Sequence, residues 1–107
     1  MRTESRRAVV RDQATIDALR RELLDGPGVT GRELREAVLS GDASQPRPVA
    51  TFSEKVRDRS FDVSQEEIDA LRAAGYDEDA VFEVTVLAAT GAASSILEAT
   101  LRAIEVA

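Results

Sequence analysis

Apolar residues recur at three- and four-residue spacing along most of the chain, the mark of helices that each bury one face. Asp12 can cap a first helix in which Ile16, Leu19, Leu23 and Leu24 keep that spacing, and Gly26, Pro27 and Gly28 stop it near Asp25. Thr30 followed by Glu33 has the form of a capping box; Leu34, Val38 and Leu39 come after it, with Gly41 where a helix C-terminus favours glycine. Residues 42–48, DASQPRP, hold two prolines and only Ala43 as an apolar residue, so they read as a linker. Val49, Phe52 and Val56 mark a third helix ending near Ser60. Ser64 with Glu67 then opens a fourth, with Ile68 and Leu71 as its stripe and Gly75 as its end.

Asp77 caps a fifth helix that reaches the end of the sequence, with Glu78 and Asp79 in a first turn where the helix dipole favours anions. A helix of that extent measures about 45 Å at 1.5 Å per residue. A compact chain of 107 residues has a diameter of roughly 34 Å. The helix therefore either breaks near Thr90 and Gly91 or packs its far end on something else, most simply a second copy. Glu83, Thr90, Ser94, Glu98 and Arg102 form a narrow polar stripe, which implies burial on two sides. Ala88, Ala89, Gly91, Ala92, Ala93, Ser95 and Ile96 are expected to form the subunit interface, the small residues letting another helix backbone approach. A tight crossing within the chain is the alternative. No segment alternates β-branched and polar residues as a sheet requires, so the expected fold is all-α, a bundle of about five helices with a long C-terminal helix.

The size fits one domain, taken as residues 12–107: a helical pair at 12–41, the linker, and the remainder from Val49 on. Residues 1–11 carry four arginines against one glutamate. The overall charge of −6 therefore leaves −9 on residues 12–107. A basic arm, expected to be flexible, precedes an acidic body. That body repels phosphate backbones and argues against nucleic-acid binding through the folded domain. The arm offers a route to an anionic partner, whether protein or nucleic acid, to an anionic lipid surface, or to the acidic body of a neighbouring subunit. No uninterrupted apolar stretch reaches the ~20 residues of a membrane span, and the arginine-rich start lacks a secretory apolar core. A soluble, cytoplasmic protein is expected, with no membrane partner.

The chain has no cysteine and no histidine. That rules out a cysteine nucleophile or zinc-thiolate site in this sequence, and the side chain best suited to proton transfer near neutral pH. No phosphate-binding loop or GxSxG elbow is present, and neither a cofactor nor a resident metal is expected. The acidic residues Glu66, Glu67, Asp69, Asp77, Glu78 and Asp79 lack the spacing of a calcium loop and read as helix-capping charge. An enzyme built without thiol or imidazole would have to draw on Glu83, Glu98 or Tyr76 with Arg102, gathered in a pocket between subunits. Glu83 and Glu98 stand about 22 Å apart along one helix, too far for an acid-base pair within one chain.

The turn from Leu71 to Tyr76 resembles a helix-turn-helix, but Asp77, Glu78 and Asp79 would set three carboxylates against DNA phosphates. With Ile96, Leu97 and Leu101 it is also loosely similar to a ubiquitin-associated domain, a reading that needs a break at Gly91. From Phe52 on, a broader resemblance covers about half the chain. The Phe52-to-Val56 helix, the Val63-Ser64 cap, the Leu71-to-Tyr76 turn with its acidic cap and the long small-residue helix together resemble the alkylhydroperoxidase-D and carboxymuconolactone-decarboxylase-like superfamily. The resemblance implies an all-helical subunit that assembles as dimers or higher oligomers with the long helix inside. Peroxidases of that superfamily use a CxxC pair and a histidine, and its decarboxylases a catalytic histidine. With neither residue type present, the resemblance transfers no catalytic residue and implies fold and assembly alone. The resulting expectation is a non-redox, non-catalytic homo-oligomer with a binding, scaffolding or accessory role.

Overall fold

The structure, a computed structural model, describes residues 2–42 and 44–106, with the side chains of residues 2–12 and 106 outside the description. Five α-helices follow in order: α1 (Arg2–Asp25), α2 (Arg32–Ser40), α3 (Arg47–Arg59), α4 (Gln65–Ala73) and α5 (Glu78–Val106). A 3-10 turn at Ser60–Asp62 joins α3 to α4, and no strand occurs among the described residues. The fold is all-α.

Most helix ends lie where the sequence places them, and for the expected reasons. Gly41 adopts φ +74°, so its N–H and that of Asp42 turn back to the carbonyls of Val38 and Ala37 at 3.2 and 2.9 Å. Gly75, at φ +100°, closes α4, and Tyr76 donates its N–H to Leu71. Asp77 Oδ1 accepts the Ala80 N–H at 2.9 Å and starts α5.

Four local expectations change. Ser64 stands at the N-cap of α4, but its hydroxyl donates to the Glu67 carboxylate and accepts no backbone N–H, so no capping box forms there. The backbone of α1 is helical from Arg2, well ahead of Asp12, so residues 2–11 continue that helix. The Thr30 capping box does not form: Gly31 is the N-cap of α2, and the Thr30 hydroxyl bonds to Glu83 on α5. The described part of 42–48 is a fixed corner. Gln45 donates to the carbonyls of Ala37 and Asp42 and accepts from the buried Ser53 hydroxyl at 2.8 Å. Pro48 sits in the first turn of α3, where its missing N–H costs nothing.

The core forms where α2, α3 and α4 close on the first half of α5. Val38, Leu39, Val49, Phe52, Leu71, Val84, Leu87 and Ala88 make one buried cluster. Burying each large side chain stabilises the fold by about 1.5–3 kcal/mol. Helix α5 runs unbroken through Thr90 and Gly91, which removes the break that the ubiquitin-associated reading needs. Gly91 lies against the C-terminus of α2: a Cβ there would stand 2.2 Å from the Leu39 carbonyl oxygen and 2.7 Å from Arg57 Nη1. Arg57 in turn donates to the Val38 and Leu39 carbonyls, satisfying groups that a helix end leaves open. The glycine thus serves a close crossing within the chain.

Helix α1 lies antiparallel along α5. Its end at Glu22, Leu23 and Gly26 adjoins Phe82, Glu83 and Val86, while Gln13, Ala14 and Asp17 adjoin Glu98, Leu101 and Arg102. The molecule measures 53 × 29 × 20 Å with a radius of gyration of 15.7 Å. A compact chain of this size would have about 13 Å. The elongation follows from α5 and α1 running past the four-helix core.

Candidate functional site

The wrapping of α5 decides which of its faces is available. One face, through Val84, Ala88 and Gly91, is buried by the core, and a second, through Leu87, Ser94 and Leu101, is buried toward α1. The remaining side is apolar and open. Phe82 is 69% exposed, Ile96 68%, Ile104 52% and Leu97 42%. Between and beyond them lie Ala89, Ala93, Thr100 and Ala103, all exposed, with Val86 half-buried. Phe82, Val86, Ala89, Ala93, Ile96, Thr100 and Ala103 alternate four- and three-residue steps, the spacing that keeps a seam facing a partner helix. No charged residue interrupts the strip. It runs about 33 Å from Phe82 to Ile104 at helical rise.

The residues expected at a subunit interface divide on this geometry. Ala89, Ala93 and Ile96 are on the open strip, Ala92 is half-buried at its edge, and Ser95 is exposed on another side. Ala88 and Gly91 are buried within the chain and cannot meet a partner. Small size alone did not tell an intrachain crossing from an open face. Phe82, Leu97 and Ile104 share the open side with them, large apolar residues that small size does not pick out.

The acid, phenol and guanidinium candidates do not converge. Glu83 bonds to the loop between α1 and α2, accepting the Val29 N–H at 2.6 Å and the Thr30 N–H and hydroxyl at 2.9 and 2.7 Å. Its burial opposes ionisation most strongly, yet the Thr30 hydroxyl, the Val29 and Thr30 amides and the nearby Arg35 charge together hold its carboxyl below the ordinary value. Arg35 braces the same loop by donating to the carbonyls of Leu23 and Gly26. This carboxylate fastens a loop to α5. Glu98 faces α1, accepting from Gln13 at 3.4 Å with Arg20 at 3.8 Å. Arg102 lines the shallow groove beside it. Tyr76 lies half-buried against the core at the other end of the molecule, by Thr30 and Gly75. Only Glu98 and Arg102 share a groove, so the four supply no common reacting point.

The acidic residues around the turn before α5 are likewise engaged locally. Glu67 pairs with Lys55 and accepts from the Ser64 hydroxyl. The Lys55 bond, acting against desolvation and aided by Ser64, holds its carboxyl below the ordinary range. Arg72 bridges to Glu78 at 3.0 Å. Among the described residues no three acidic side chains stand close enough to hold a metal ion.

One cleft adjoins the open strip. Leu23, Pro27, Phe82, Val86 and Leu87 give it apolar walls, Glu22, Glu83 and Arg35 its polar edge, and it encloses about 210 Å³. By length and composition alone, Glu78–Glu105 also passes as a membrane span once a few charges are tolerated, a test that the core helix of a soluble protein passes as well. A third of its most apolar stretch is buried inside the fold.

No family model, curated protein or solved structure matches the chain.

Proposed function

We propose that this chain is a non-redox helical protein that associates with a second copy of itself through the open side of α5, in a binding, scaffolding or accessory role. The observation that carries the reading is the uncharged strip from Phe82 to Ile104, with four large apolar side chains 42–69% exposed. Exposed apolar patches of several hundred Å² mark interaction sites in soluble proteins. A strip ~33 Å long on a helix about 10–12 Å across gives roughly 700 Å² in total from α5 alone, the size of a weak, concentration-dependent interface. The order of elements from Phe52 on supports carrying forward the proposed likeness to the alkylhydroperoxidase-D-like superfamily, with assembly as the retained property. The cytoplasmic location belongs to the same proposal.

Light scattering across micromolar concentrations tests it. A dimer or larger species is expected, and Ile96→Asp should leave a folded monomer. A wild-type monomer throughout, with a helical far-ultraviolet spectrum, would overturn the reading. So would α5 partitioning into neutral lipid vesicles in place of pairing, which would assign the strip to a membrane.

A further inference from the structure

From the two ends of α5 and the cleft beside it, we infer that the second copy lies antiparallel on α5, with the two helices crossing at Ala89 and Ala93. This rests on the self-association proposed above and adds its orientation and register.

Two features of the strip fit that geometry. Its middle is small, Ala89 and Ala93, while Phe82 and Val86 rise on one side and Ile96, Leu97 and Ile104 on the other. Two such helices approach most closely at the alanines, and a two-fold axis between them brings Ala89 of each copy beside Ala93 of the other. In that register the second copy's Ile96 stands opposite Val86, at the mouth of the 210 Å³ cleft that Leu23, Phe82, Val86 and Leu87 line. A large apolar side chain then has an apolar recess to enter, as interface anchors require.

The charges at the two ends decide between orientations. The start of α5 carries Asp77, Glu78 and Asp79. At the other end Arg102 and Glu105 cancel, but α1 runs antiparallel to α5, so residues 2–11 run alongside the last turns of α5 and pass its end by a few residues. Gln13 is already level with Glu98, and Arg2 lies about 16 Å further along the axis of α1. Residues 1–11 carry +3. An antiparallel pair sets each acidic start beside the other copy's basic end and opposes the helix dipoles favourably. A parallel pair would bring acid to acid and base to base.

The absence of native cysteine makes single-cysteine variants a clean test. Phe82→Cys and Thr100→Cys are made separately and oxidised alone and as a mixture. The antiparallel register predicts little cross-linking in either variant alone, because like positions stand about 27 Å apart along the axis, and strong heterotypic cross-linking in the mixture. Homotypic cross-links in each variant, with none gained on mixing, would overturn the orientation while leaving self-association intact. A monomer by light scattering with no cross-link in any combination would instead overturn the self-association. Should Phe82→Cys disturb the pairing, a spin label on Thr100→Cys alone gives the same test; an interlabel distance under about 15 Å would refute the antiparallel register. Salt supplies an arm free of substitutions. Raising ionic strength from 0.05 to 0.5 M should weaken the wild-type dimer several-fold, whereas strengthening by salt would contradict the pairing of opposite ends.

Discussion

The two halves of α5 are continuous in backbone and different in support. Residues 78–91 are packed on one side by α2, α3, α4 and the end of α1, contribute Ala80, Val84, Leu87 and Ala88 to the buried core, and leave Phe82 and Ala89 open. Among the described side chains of residues 92–105, only Ser94 and Leu101 are buried, while Ile96, Leu97 and Ile104 stand in solvent. Composition hardly separates them, since both are rich in alanine and β-branched residues. What separates them is supply: α2, α3 and α4 end before they can cover the second half, and α1 covers one side of it. An apolar helix face that the chain cannot cover is where a second copy gains most.

Substitutions in each half should therefore act on different quantities. The largest effect is expected from Leu87→Ala, which empties a 2%-exposed site in the core and should cost about 2–5 kcal/mol in thermal or urea unfolding. Gly91→Ala comes next. The gain in helix propensity, about 1 kcal/mol, is outweighed because the new Cβ would press on the Leu39 carbonyl oxygen, so a net loss of about 2 kcal/mol is expected in the same measurement. A Gly91→Ala protein of unchanged melting temperature would show that the α2 crossing yields easily.

Glu83→Gln should cost about 1 kcal/mol by weakening the loop's fastening, since water screens this half-buried carboxylate. Its pH dependence has a definite sign. The folded carboxyl is held below its ordinary value, so the unfolded chain binds the proton more readily and stability falls with acid. The full contribution is present above the ordinary carboxylate range, near pH 4.5, and disappears as pH drops through the lower folded value. Melting curves of wild type and Glu83→Gln should accordingly converge in acid and separate toward neutrality. The smallest effect on the folded subunit is expected from Ile96→Asp, within about 0.5 kcal/mol once monomeric, although the same change should abolish the dimer.

Much of the fold was legible because its punctuation is local. Gly41 and Gly75 take the positive φ that ends a helix, and Asp77 bonds three residues ahead, all consequences of short-range geometry. The early start of α1 was not legible. Residues 2–11 carry mainly charge, with Ala8, Val9 and Val10 as their apolar run, so they show no clear amphipathic period. The partner of Thr30 was hidden for another reason: a capping box and a bond to Glu83 use the same hydroxyl, and only the approach of α5 decides between them. The open strip was half-legible. Its phase is written in the four- and three-residue steps, but which apolar face of α5 the core would take depends on where α2 and α3 end.

Residue-resolved hydrogen exchange at protein concentrations above and below the dimerisation midpoint tests most directly whether the two halves are held by different partners. The account predicts that amides of residues 80–91 exchange at a rate set by unfolding of the subunit core and little changed by dilution, while those of 94–104 lose protection as the dimer dissociates. Equal, concentration-independent protection along the whole of α5 would contradict it.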